Sequence, residues 1–222
     1  MPGIQKIGLT LCASLALATF GAAKNAQAHP HVWVTVETEV VYDGQKAITG
    51  LRHQWTFDEA YSSFAILGLD KNNDGEYDRE ELKELAEVNI SSLKEFDYFT
   101  FPKLGDKLLD REPPKDYWLE YHDGKLTLFL TLPLTSPVPA AETKSFTFAV
   151  YDPTFYVDFA LANENPVRLS AAPAGCVPVV TNPEPPKRGV STLGEAFFSD
   201  AEATSSIAEQ YAKSVSIACP AG

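Results

Sequence analysis

The chain has 222 residues, with 30 Asp and Glu against 18 Lys and Arg and a formal net charge of −12. Such an acidic surface repels phosphate backbones and attracts cations, so nucleic acid is excluded as an expected partner. The length is enough for one sizeable core or two small ones.

Lys6 precedes an apolar run from Ile7 to Ala23, and the small-residue site Ala26-Gln27-Ala28 follows. That layout predicts a cleaved secretory signal over residues 1–28. The run is short for a bilayer span and ends at an A-x-A site, which predicts a soluble periplasmic chain beginning at His29. Residues 29–222 then form a single mature domain, and losing Lys6 and Lys24 with no acid moves the charge from −12 to −14. Cys12 leaves with the signal. Cys176 and Cys219 remain as an even pair in an oxidising compartment, which predicts one disulfide.

Alternating valines from Val32 to Val40, the turn Asp43-Gly44 and a second run to Phe57 read as a β-hairpin. Thr56-Phe57-Asp58-Glu59 fits a capping box, so a helix is expected from about Asp58 to Gly68 with Phe57, Tyr61, Phe64 and Ala65 on its apolar face. A second helix is expected from near Arg79 to Phe96. Between them, Asp70 to Glu81 reads D-K-N-N-D-G-E-Y-D-R-E-E, an EF-hand loop within a helix-loop-helix segment 58–96. Calcium needs about six to eight hard oxygens. Asp70, Asn72 and Asp74 offer side chains, Glu76 a carbonyl, Asp78 a water-mediated contact and Glu81 both carboxylate oxygens. One loop and a mature chain without methionine predict a structural calcium ion, not a sensor.

The period then becomes two. Tyr117, Leu119 and Tyr121, the turn Asp123-Gly124, and Leu126 to Leu132 predict a second hairpin, ended by Pro133, Pro137 and Pro139. Further strands are expected at Phe146–Val150 and Phe155–Leu161. Beyond Asn163 prolines predict loops, then a short helix from Ser205 to Lys213 and a strand at Cys219. The fold class expected is α+β, an antiparallel β-sheet or sandwich core with the inserted helix-loop-helix.

Cleavage before His29 would place a free amine beside two imidazoles in His29-Pro30-His31, a candidate transition-metal site. Pro30 lacks an amide proton, which blocks a square-planar site built from backbone nitrogens. Pairing about the Asp43-Gly44 turn sets Asp58 opposite His29, giving His29, His31 and Asp58 as candidate ligands; against this, an acid in a first helical turn is favourable without any metal. His53 shares the face of Val32 and Val34, which predicts a buried, hydrogen-bonded histidine. His122 is expected at the surface, and Asp158 shares the outer face of its strand with Tyr156 as a further candidate ligand. Enzyme chemistry has no signature here: G-x-S-x-G, H-E-x-x-H, P-loop and dinucleotide motifs are all missing.

HPHVW at His29 to Trp33, HQWTFDEAYS at His53 to Ser62, the calcium loop, DYWLEY at Asp116 to Tyr121, YDPTFY at Tyr151 to Tyr156 and the cysteine pair together resemble a known family. It is the bacterial periplasmic family called domain of unknown function one-thousand-seven. The resemblance covers essentially the whole mature chain. It implies a metal-handling role beside an inner-membrane permease of the nickel/cobalt or zinc kind, and among ligands it carries over only to His29 and His31. The reading is therefore a non-enzymatic periplasmic protein that supplies zinc, or nickel or cobalt, to a permease. The alternatives are a calcium-stabilised protein-binding module and a copper(II) histidine-brace protein; missing methionines and the expected disulfide speak against copper(I).

Overall fold

The computed structural model describes residues 30–183 and 201–220. The expected signal, its cut site and His29 lie outside the described residues. The first hairpin forms as expected, from β1 (Val32–Tyr42) and β2 (Ile48–Phe57), and its strict alternation buries Val34, Val36 and Val40. Helix α1 (Glu59–Ala65) and helix α2 (Lys83–Leu93) flank the acidic loop. Both are shorter than expected. Phe64 is exposed, and α1 instead turns Tyr61, Ser62 and Ala65 inward. After α2 the chain tightens into a 3₁₀ segment, Lys94–Phe99, in which Asp97, Tyr98 and Phe99 adopt positive φ. Arg111 holds this turn by donating to Asp97 at 2.7 Å and to the Thr100 carbonyl at 2.6 Å.

The remaining strands are β3 (Thr100–Leu104), β4 (Lys107–Leu108), β5 (Tyr117–His122), β6 (Lys125–Val138), β7 (Phe146–Val150), β8 (Val157–Leu161), β9 (Val167–Ser170), β10 (Val177–Thr181) and β11 (Ser214–Ala218), with helix α3 (Ala201–Tyr211) before the last. They make two sheets. One has the order β5-β6-β2-β1-β8 with β9 also on β1, and the other the order β10-β11-β7-β3-β4. One hydrophobic core draws on both, so the molecule is an α+β sandwich. Leu126, Leu128, Leu130 and Leu132 point into it from β6, each contributing about 1.5–3 kcal/mol as an upper bound.

Three expectations are corrected. The first sheet is mixed: β1 pairs with β8 and β9 in parallel, so the core is not purely antiparallel. Strand β6 runs through Pro133, which sits where the ladder with β2 shifts register and where β5 has already ended, so no pairing amide is lost. The stretch after Asn163 contains strands β9 and β10 where only loops were expected.

Cys176 and Cys219 form the expected disulfide, flanking the β10–β11 pair at Val177 and Ala218 with a Cα–Cα distance of 4.1 Å. Such a bond is compatible with a secreted protein. Among the described residues no helix is long and apolar enough to cross a membrane.

Candidate metal centres

The loop Asp70–Glu81 is folded on itself by its own carboxylates. Asp70 accepts from the amides of Asp74 at 3.2 Å and Gly75 at 3.0 Å. Glu81, only 7% exposed, accepts from Lys71 at 2.8 Å and Asn72 at 3.3 Å with one oxygen and from Asp78 at 3.2 Å with the other. Gly75 has φ +81, a conformation that a side chain would strain. Asp78 accepts from the amides of Glu80 and Glu81, both at 2.9 Å. It thereby turns the chain toward α2, four residues later than the expected start at Arg79.

The loop docks on β5. Tyr77 meets Tyr121 edge-on at 5.0 Å, and Arg79 donates to Glu120 at 2.7 Å while lying 4.7 Å over the Trp118 ring. Partial burial pushes the Glu120 carboxyl up, but hydrogen bonds from Arg79 and Trp118 outweigh it and hold the pKa below the usual value.

The second centre crosses the outer face of the same sheet, from β8 to β6. Asp58 is the N-cap of α1: Oδ1 accepts from the Tyr61 amide at 2.9 Å, and Oδ2 accepts from the Trp33 amide at 3.0 Å. The second bond replaces a ladder bond where β2 departs into the helix. Partial burial raises the Asp58 pKa, yet the amides of Trp33, Tyr61 and Ala60 more than offset this and keep it low. Asp58 therefore sits beside Trp33, since Val34 pairs with Phe57. It is not opposite His29, which is a correction. The turn is a wider loop in which Asp43 accepts from Gln45 at 2.8 Å and Ala47 at 2.9 Å, and this slides the register by four residues.

Parallel pairing puts Asp158 on the other side of Trp33. Thr56 pairs with Thr127, so the same register brings Lys125 beside Asp58. Asp158, Trp33, Asp58 and Lys125 thus form one transverse row on the outer face of four strands. A row of smaller residues, Ala160, Thr35 and Thr56, lies next to it, and together they line an open cleft of about 220 Å³.

His31 lies just before β1, outside that row. Its amide donates to the Tyr156 carbonyl at 2.8 Å, and its ring packs against the Tyr156 ring at 4.8 Å. The Val32 amide donates to the same carbonyl at 3.3 Å, so the chain bends here, and the His31 ring stands by Tyr156, two residues before Asp158. Buried Asp152 sets this edge by accepting from Thr154 at 2.7 Å and Val157 at 2.9 Å. Among the described residues, no three His, Cys, Asp or Glu side chains converge as a ready-made metal-ligand group. Lys125, Trp33 and Thr35 escaped sequence reasoning because their place depends on register; the Asp-Pro turn of YDPTFY was the visible signal for Asp152.

His53 belongs to neither centre. It is fully buried between the sheets, with Nδ1 2.9 Å from the Thr38 hydroxyl and Nε2 3.2 Å from the Thr100 hydroxyl. Thr100 gives its one proton to the Tyr98 carbonyl at 2.8 Å, so it accepts from Nε2–H and leaves Nδ1 to accept from Thr38. Burial lowers the His53 pKa to about 3. His122 is at the surface as expected.

An uncharacterized protein of Haemophilus influenzae is 25% identical over 192 residues, covering 86% of this chain and 91% of that protein. An uncharacterized 15.5 kDa protein in the trpE 3' region of Spirochaeta aurantia is 30% identical over 110 residues, covering 50% of this chain and 77% of that protein. Because the profile of the family described as Protein of unknown function (DUF1007) matches residues 14–219, nearly its full length, the chain belongs to that family.

Proposed function

We propose that this protein is a periplasmic, non-enzymatic accessory that binds a divalent transition metal, zinc before nickel or cobalt, and supplies it to an inner-membrane permease. The observation that carries the reading is the outer face of the first sheet, where Asp58 and Asp158 flank Trp33 beside a cleft and the His31 ring packs on Tyr156, two residues before Asp158. One imidazole with carboxylate oxygens suits zinc, nickel or cobalt better than a soft copper(I) ion. His29, if it is the mature amino terminus, would add an imidazole and an amine.

In the same reading, calcium occupies Asp70–Glu81 and holds the fold. The residues suit it: every donor is a hard oxygen, Gly75 makes the turn, and the Asp70 and Glu81 carboxylates already face the inside of the loop. Calcium would supply the positive charge that lets these acids approach one another. Its affinity is expected on the order of 10⁻⁴ to 10⁻³ M, as in extracellular modules.

The test is calorimetry on metal-free protein with its native mature terminus, titrated with zinc, nickel and cobalt. Binding should fall sharply in a His31→Ala/Asp158→Asn variant. Equal binding by the variant and wild type would end the proposal.

A further inference from the structure

At one place on the outer face of the first sheet, an exposed indole and a carboxylate already hold a guest. Trp118 and Glu120 lie two apart on β5, so both point to that face, opposite to buried Leu119. Arg79 lies with its Cζ 4.7 Å over the Trp118 ring and donates to Glu120 at 2.7 Å, while the Trp118 indole N–H donates to the same carboxylate at 2.8 Å. A guanidinium suits this pair on two counts: its planar face stacks on the ring, and its edge N–H groups reach the carboxylate oxygens.

The cleft repeats those parts on the same face without the guanidinium. Trp33, 50% exposed, stands between Asp158 on β8 and Asp58 at the end of β2, and all three line the cleft. Among the described residues, no arginine or lysine lies over the Trp33 ring, and no ion pair engages Asp158. Trp33 with Asp158 thus corresponds to Trp118 with Glu120. Asp58 stays on its cap, held by the Trp33 and Tyr61 amides at 3.0 and 2.9 Å, and contributes its charge. The charges of the row choose the guest. Asp58, Asp158 and Lys125 sum to one negative charge, which a single monocation neutralises. Lys125 lies on β6, beyond Asp58 and three strands from Asp158, so a cation is drawn to the Trp33 and Asp158 side.

We propose that the cleft is a docking site for an arginine side chain of a partner protein, held as Arg79 is held on Trp118. The guanidinium lies flat on Trp33 with its edge N–H groups on Asp158, and Asp58 adds a second negative charge on the other flank. This goes beyond the metal-binding reading and does not rest on it. The formal net charge of −12 favours a basic partner segment and speeds the encounter. A free arginine would bring its own carboxylate to a face that is net negative, whereas an arginine within a chain does not. Arginine and tryptophan are also the side chains on which protein interfaces most often concentrate their binding energy.

The experiment follows the Trp33 indole N–H resonance, assigned with Trp33→Phe, while calcium-saturated mature protein free of transition metal is titrated with the capped peptide acetyl-Gly-Arg-Gly-amide. The arginine peptide should shift that resonance with a millimolar Kd, the lysine counterpart should bind about threefold more weakly, and the isosteric, uncharged citrulline counterpart about tenfold or more weakly. Asp158→Asn should weaken arginine binding about two- to fivefold, and Lys125→Gln should tighten it about twofold. Both side chains are exposed, so thermal melts of the variants should match wild type. An arginine peptide that shifts no tryptophan resonance, or that of Trp118 alone, overturns the inference, and so does a citrulline peptide that binds equally well. Free L-arginine binding more tightly than the capped peptide overturns it too, since the cleft would then be a small-molecule site.

Discussion

Acidification should destabilise this protein through one residue remote from both centres. His53 is fully buried against two hydroxyls with no carboxylate partner, and its pKa is lowered to about 3, against about 6.5 in an unfolded chain. Below pH 6.5 the unfolded state binds a proton that the folded state refuses. Stability therefore falls as pH drops from about 6.5 toward 3 and is unaffected by His53 above that window. At 1.36 kcal/mol per unit, the loss between pH 8 and pH 4.5 is about 2.7 kcal/mol from this group alone. With an m-value of about 2 kcal/mol/M, the urea midpoint should move down by about 1.4 M, followed by tryptophan fluorescence in the presence of a chelator. His53→Gln keeps an amide that can both donate and accept but cannot titrate. Its midpoint at pH 8 should be lower than that of wild type, yet its drop on acidification should be smaller by that same amount. Equal drops in the two proteins would refute the argument, because every other titrating group is common to both.

Calcium should raise the thermal midpoint of wild type, since a ligand of the folded state adds RT ln(1 + [L]/Kd), and Glu81→Ala should remove most of that gain; equal shifts would place the ion elsewhere. Asp58→Ala should cost about 1–2 kcal/mol in urea unfolding through the lost cap, while Asp58→Asn retains most of it; a neutral Ala substitution would contradict the capping role. Thiol labelling of denatured, unreduced mature protein should find no free cysteine, and Cys176→Ser should destabilise by at most about 4 kcal/mol for a 43-residue loop. Two labelled cysteines would exclude the bond.

Both hairpins were legible because one face of each is buried, and the alternation of Val34–Val36–Val40 or Leu126–Leu132 records that directly. The same parity argument placed His53 in the core. Parity survives a register error; pairing does not. The four-residue slide came from Asp43, whose side chain accepts from two loop amides and widens what reads as a two-residue turn. Strands β8 and β9 pair in parallel with β1 across more than a hundred residues, and no local pattern encodes such a partner. Strand β10 is largely exposed, so it carries no alternation to read.

The pairing of Trp33 with Asp158 has a consequence for assembly. The hairpin β1–β2 can close locally, but the cleft acquires its fourth side only when β8 arrives from 125 positions further along the chain. A truncated chain that has paired β1, β2 and β6 but lacks β8 has three of the four residues of the row and a cleft open on one side. Any ligand that the cleft takes is therefore bound only once residues 125 positions apart have paired, and its capture reports that β8 has docked on β1.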